Sequence, residues 1–397
     1  MYSFNQFIAE EVAENTRLSH LEHAEDHILN AGEKGARHSI RHMIGVHHAL
    51  LQHNTPVKLT TKYDGAPAVV FGTHPETKKF FVGSKSVFNK TPKINYSHED
   101  IDKNHGHAPG LADKLKSALD HLPKVTPKGK VYQGDLMHTP DIKKQKGDHI
   151  HFKPNTINYA VHKDHPEGKK AAKAKIGVAV HTEYTGDTHK DLKANFGPDT
   201  SKFKEHSDVH VMSTHTDSAT VNYKPEHRVK FFSHINKAKK AMEGHDYSHL
   251  DHPEHQAHLK TYINQTVRDQ SKPSVAGLKK HVLMKHEAMK SKVKTDATKQ
   301  KIDAKAQGHL DHINQHNGAI KNTLKIHKHL QDAKHTLVKS LETSDHYKHD
   351  IEGRKTGPEG HVAFLGGHAT KLVDRGAGGF ASSNLLAGGI QKAKKTK

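Results

Sequence analysis

The stretch LTTKYDGAPAVVFG, Leu59 to Gly72, differs from the text on either side of it. The flanking chain is crowded with His, Lys and Asp. Here two β-prone runs surround Lys62-Tyr63-Asp64-Gly65. Burial and nearby cations push a lysine toward its neutral form, and a neutral amine is a nucleophile. A turn after a strand produces the same letters, because Asp-Gly is a favoured turn pair, so the four residues alone read first as a hairpin. The rest of the chain decides between the two.

Working outward, short β-rich runs bounded by Gly, Pro and Asp continue to Tyr184: KFFVGSKSVF, GKVYQGDLM, HIHFKPNTINYAVH and KIGVAVHTEY. One helix, around LADKLKSALDHL, interrupts them. Before Leu59 the chain reads as helical. AEDHILNAG ends in a glycine suited to a helix stop, and Ile40, Met43, Ile44, His47 and Leu51 share one face. After Asp187 a short strand pair, DVHVMS with SATVNY, gives way to a long helical block. In it Leu310, Ile313, Ile320 and Leu324 form one apolar stripe, and Leu330, Leu337 and Leu341 another, as two packed helices would. Strand-like text returns at EGHVAFLGG and ATKLVDR. Two strands cannot form a domain alone, so they are expected to complete the earlier sheet. The expected class is α+β: a helical segment over 1–54, the first part of a sheet domain over 55–186, a helical insertion over 187–350, and final strands with a basic tail over 351–397.

The chain has 397 residues and a formal net charge of +19 with His neutral. That excess suits a polyanionic partner, nucleic acid first. The 42 histidines are expected to add charge as pH falls, since an unperturbed imidazole titrates near pH 6.5. Cys is absent, which excludes disulfides and thiolate metal sites. No apolar run approaches the roughly 20 residues of a membrane span, so no membrane partner is expected.

Read in order, the motifs favour chemistry over a bare turn. KYDG resembles motif I of the covalent nucleotidyltransferases, the superfamily of ATP-dependent DNA and RNA ligases and mRNA capping enzymes. FVGSKS stands where that family has its ribose-contacting strand, VYQGDLM resembles motif III and KIGVAVHTEY motif IIIa. PEGHVAF resembles motif IV and TKLVDR motif V. The resemblance covers residues 56–184 and 358–375. It implies a ligase-type nucleotidyltransferase fold, antiparallel sheets with flanking helices, and an ATP-dependent polynucleotide ligase working through a covalent lysyl-AMP. It implies Lys62 as nucleophile, with Asp64 and Gly65 forming the turn that holds it and Tyr63 flanking. Ser84 and Lys85 fall at the ribose-contacting position, and Asp135 is the motif III acid that binds ribose or metal. Phe152 and Tyr184 are the candidates to stack on the base. Glu359, with Asp135, would hold Mg²⁺ or Mn²⁺, and Lys371 would contact the α-phosphate.

This sequence departs from the pattern in places. Motif III carries Asp135 where ligases usually have Glu. The second lysine of K-x-K in motif V is Val373, so Arg375 is expected to share the phosphate contact. The absence of an arginine soon after KYDG, together with the GSKS strand, leans the reading toward RNA rather than DNA as substrate. A DNA ligase, a capping-type guanylyltransferase and a catalytically degenerate nucleic-acid-binding head protein are the alternatives. The start, MYSFNQFIAEE, resembles the capsid-targeting peptide of internal head proteins in large tailed phages, with Ile8-Ala9-Glu10 as the cleavage signal. That implies a chain made in the host cytoplasm and, where the peptide targets it, packaged in the virion head. His312 and His316 have the spacing of a helical metal pair, but with His so frequent the pair reads as chance on a solvated helix.

Overall fold

The computed structural model describes residues 21–51, 56–342, 346–365 and 368–376. The Ile8-Ala9-Glu10 signal and the basic tail lie outside them. The chain is a mixed α/β protein with mainly antiparallel sheets, and it divides into two compact units. Among the described residues no helix is long and apolar enough to cross a membrane.

The first helix, α1 (His27–Leu50), belongs to the second unit. The first unit gathers Pro56–Thr220 and Glu342–Ala369. It begins with β1 (Lys58–Lys62), β2 (Ala68–Thr73) and β3 (Phe80–Gly83). α2 (His98–His105) and α3 (Pro109–His121) follow, the former capped by the Ser97 hydroxyl, which accepts from the Asp100 amide at 3.2 Å, the latter opened by a proline. Then come β4 (Val131–His138), β5 (Lys143–Lys146), β6 (His149–Phe152), β7 (Asn158–His162), α4 (Pro166–Lys173), β8 (Ile176–Thr185), β9 (Lys193–Phe196) and β10 (Val209–Met212).

The central sheet runs β10-β8-β4-β2-β3, with β9 also on β8. One face packs against α2 and α3 through Val69, Phe71, Val178 and Val180 on the sheet and Ile101 and Leu115 on the helices. Each such fully buried aliphatic side chain contributes about 1.5–3 kcal/mol. The other face carries a smaller core that includes Val70, Phe81, Phe88 and Tyr184. DVHVMS does not form a hairpin with SATVNY. Val209–Met212 instead adds to β8 in parallel, and Ser218–Thr220 is a short 3-10 turn.

After the helical block the chain returns as β11 (Lys348–Ile351), β12 (Arg354–Lys355) and β13 (Gly360–Leu365), while β14 (His368–Leu372) crosses into the second unit. β12-β11-β7-β6-β5 form a second antiparallel sheet. Glu352 and Gly353, both at positive φ, make the two-residue turn between β11 and β12. β13 does not join the central sheet but pairs with β1, Lys62 opposite Gly360.

The second unit holds α1, α5 (Pro225–Met242), α6 (Pro253–Arg268), α7 (Val275–Lys290), α8 (Asp296–Gln315) and α9 (Asn317–Leu341). The two apolar stripes read from the sequence fall on this α8–α9 pair, with Ile313, Ile320, Leu330 and Leu337 buried. The glycine expected to stop the first helix is Gly32; it and Ala31 leave helical geometry, with a φ of +52 at Gly32, so α1 is two helices that meet at a kink there. The helical segment at the start and the helices after residue 220 therefore share one unit, and β9 and β10 belong to the sheet unit. A buried charge cluster joins the helical segments: Lys334 of α9 binds Glu25 at 2.6 Å, and Arg375 binds Asp26 at 2.8 Å.

Candidate functional site

β1 and β2 do not form a hairpin. β1 pairs with β13, while β2 lies between β3 and β4 in the central sheet. Residues 63–67 carry the chain from one sheet to the other, so KYDG is a crossing and not a hairpin turn. Two backbone bonds at 3.0 Å, Ala66 N to Leu136 O and Leu136 N to Pro67 O, fasten that crossing to β4.

The requirement for glycine at position 65 is steric. A Cβ there would stand 2.5 Å from the Asp135 Cβ and 2.8 Å from the Met137 sulfur. Asp64 is held just as firmly. Its carboxylate accepts from the Asn155 side chain (2.8 Å) and from the amides of Thr156 (2.8 Å) and Ile157 (3.0 Å), and its own amide donates to the Tyr159 hydroxyl (2.7 Å). The β6–β7 loop thus fixes the turn that presents Lys62. The Tyr63 hydroxyl donates to the Ser213 carbonyl at 3.3 Å.

The Lys62 ammonium meets Glu359 Oε1 at 2.5 Å, with side chains 29% and 17% exposed. The β1–β13 register sets this meeting, because Glu359 directly precedes the partner of Lys62. Burial pushes the amine's pKa down, but Glu359, helped by Asp135 and Asp64, outweighs burial and holds the pKa above the usual 10.5. Burial also pushes Glu359 up; Lys62 draws it down, Asp64 and Asp135 push it up again, and it ends above its usual 4.5. The site is short of positive charge: one lysine faces three carboxylates. The neutral amine expected from burial is therefore not the form that this arrangement favours. His181 Nε2 also approaches these acids, 3.7 Å from Asp135 Oδ2.

Sheet register puts further residues at this end. Asp135 pairs with Ala68 on one side and Ala179 on the other. Gly83 pairs with Val70, so Ser84 and Lys85 follow β3 toward the same edge. Ser84 caps a short 3-10 turn, its hydroxyl 2.8 Å from that of Ser86, and the Lys85 side chain is exposed.

The base-stacking expectation does not fit. Phe152 is 1% exposed and stacked on Tyr159, and Tyr184 is 3% exposed with its hydroxyl donating to Gln133 at 2.7 Å. Neither ring has a face open to a base. Lys371 lies in the second unit, its amide donating to the Glu22 carbonyl at 2.9 Å. Arg375 cannot share a phosphate contact there. It is 5% exposed, bound to Asp26 at 2.8 Å and to the Asn264 side chain at 2.5 Å. The sequence reading missed Asn155, Tyr159 and His181; KPNTIN, with its Pro-Asn turn letters inside a β-rich run, was the available sign of the clamping loop.

The histidines of the helical unit also differ from expectation. Burial and neighbouring imidazoles hold His249, His255 and His258 down to about 4. Those three stay neutral through the range in which charge was expected to grow.

The chain belongs to the family of unknown function DUF6267, whose model matches residues 15–388. Among curated proteins and among solved structures, none matches the chain.

Proposed function

We propose that the first unit is a ligase-type covalent nucleotidyltransferase domain and that the protein is an ATP-dependent polynucleotide ligase, acting on RNA rather than DNA. The observation that carries this reading is the convergence of Lys62, Asp64, Asp135 and Glu359 from three separate stretches of chain into one site, with Lys62 at 2.5 Å from Glu359.

The donor set fits a divalent ion such as Mg²⁺: Asp135 and Glu359 offer hard carboxylate oxygens in a site with surplus negative charge. The ion would neutralise phosphate charge and weaken the hold of the carboxylates on the Lys62 proton. The chain's own groups do the rest. Asp64, clamped by the β6–β7 loop, and Gly65, seated on Asp135, fix the end of β1 so that Lys62 cannot swing away. Glu359 Oε1 is in contact with Nζ and takes its proton. The Nζ lone pair then bonds to the α-phosphorus of ATP, the Pα–O bond to pyrophosphate breaks with its electrons leaving on pyrophosphate, and the second proton left on Nζ passes to solvent. The product is a lysyl-AMP phosphoramidate, which a polynucleotide 5′-phosphate consumes. Ser84 and Lys85, which follow β3 toward the same sheet edge, would contact the ribose. The +19 net charge suits the polynucleotide.

Incubation of the full chain with α-labelled ATP and Mg²⁺, followed by a denaturing gel, tests the reading. A labelled band that is acid-labile and alkali-stable, formed from ATP and not from GTP, supports it. Labelling from GTP alone points to a capping-type activity, and no label from either marks the chain as a binding protein.

A further inference from the structure

The helical unit carries a second constellation, unconnected with Lys62. His258 on α6, His286 on α7 and His309 on α8 come together in the interior, with one ligand nitrogen from each within 4.8 Å of the others. The ring centroids are 4.6 Å apart for His258 and His309, 5.3 Å for His286 and His309, and 5.4 Å for His258 and His286. His286 and His309 are only 4% and 5% exposed.

Two features mark this group off from core histidines that have merely been buried. His309 has both ring nitrogens out of water with no hydrogen-bond partner, the nearest carboxylate being Glu254 Oε2 at 3.6 Å from Nε2. Buried polar atoms are ordinarily satisfied, so an imidazole orphaned at both nitrogens calls for something that the protein itself does not supply. His286 shows the complementary arrangement: its Nδ1 lies 2.9 Å from the Val282 carbonyl. Donation there fixes the tautomer and leaves Nε2 as a lone pair, the support that metal-bound histidines commonly have.

We propose that His258, His286 and His309 form a binding site for a first-row divalent metal ion, zinc above all. Imidazole nitrogen suits zinc, and the absence of Cys rules out the thiolate alternatives. A tetrahedral ion with ligands at about 2.0–2.1 Å needs nitrogens about 3.4 Å apart. The three nitrogens, within 4.8 Å of one another, would have to close by up to about 1.4 Å to hold it. Three protein ligands leave one tetrahedral position for water. The adjoining cavity of about 10 Å³ is lined by Leu259, Leu278 and Val282, by His258 and His309 of the trio, and by other residues that include His249, His255 and His312. That room suits one ion or water and excludes an organic ligand.

With so many histidines, weak surface binding is certain, and the test must separate it from one built site. The full chain without an affinity tag is titrated with Co²⁺ and with Zn²⁺ against a chromophoric chelator. The wild type should take up one equivalent tightly, with the intense visible absorption of tetrahedral cobalt, and zinc should raise its melting temperature. His258→Gln, His286→Gln and His309→Leu should each remove that absorption and weaken the tight equivalent by 100-fold or more. His234→Gln, outside the trio and the cavity beside it, should retain both. His309→Leu suits the apolar wall and should fold with undiminished helical circular dichroism; if it does not, the two glutamine variants give the answer. A wild type with only octahedral cobalt absorption, or a tetrahedral signal that survives His309→Leu and His286→Gln, overturns the proposal.

Discussion

Replacing Gly65 with alanine tests whether the geometry of the Lys62 turn governs its chemistry. The added methyl would stand 2.5 Å from the Asp135 Cβ and 2.8 Å from the Met137 sulfur. Non-bonded carbons rest at about 3.5–4.0 Å, so either the crossing or β4 must yield by about 1 Å. Two backbone hydrogen bonds tie residues 63–67 to β4, so a shift of one against the other strains both bonds. Overpacking of this kind costs about 1–3 kcal/mol. A misplacement of about 1 Å at a reacting group can lower a rate about 100-fold. Gly65→Ala should therefore lose about 1–3 kcal/mol in urea unfolding and slow adenylyl transfer about 100-fold. Gly110→Ala is the control, since its Cβ would meet nothing within 4 Å. If Gly65→Ala matches the wild type in both assays, the packing of Gly65 on Asp135 does not position Lys62.

Two further substitutions test the charge arrangements. Glu359→Gln removes the largest influence that raises Lys62, leaving burial in command, so the amine should react with an amine-selective reagent at lower pH than in the wild type while Mg²⁺-dependent transfer falls. An unchanged pH profile for Lys62 modification, read by mass spectrometry, would contradict this. The stabilising share of Lys62 is present in full below its unfolded value of 10.5 and is lost only as pH rises through the higher folded value, so neutral-pH melting is no proxy for it. In the helical unit, Lys334→Met should cost about 3–5 kcal/mol, because it strips a fully buried carboxylate of its nearest partner. Glu25, despite burial, is held down to about 2 by Lys334 and Arg375. Its stabilisation is present above pH 4.5 and disappears as pH falls toward 2. The variant should show a shallower loss of melting temperature across that window, and an equally steep one would refute the pairing.

The sequence made the β-rich character of residues 59–184 legible, and the α8–α9 pair too, because period-2 and period-3.6 patterns survive in text crowded with histidine. It did not show that β1 and β2 part company. Asp-Gly between two strand-like runs is the usual hairpin signature, and only the pairing of β1 with β13, nearly 300 residues on, overrules it. The four residues at the centre of the site were named by resemblance; local pattern could not have joined Lys62 to Glu359. The clamp on Asp64 was invisible for a similar reason, since hydrogen bonds from a distant loop leave no periodic trace. The opening helices looked like a separate segment because the strand-like text from Leu59 divides them from the later ones, and nothing local announces the partners of Glu25 and Asp26. In the fold they are buried against Lys334 and Arg375. The trio His258, His286 and His309 was hidden by abundance and by its distribution over three helices.

The measurement that bears most directly on the central claim is the location of any nucleotide adduct. The full chain is incubated with ATP and Mg²⁺, digested under alkaline conditions and mapped by mass spectrometry, alongside Lys62→Ala checked for native circular dichroism. The account predicts a single AMP on the peptide carrying Lys62 in the wild type and none on the folded variant. An adduct on another residue, or none on a wild-type chain shown to be folded, would contradict it.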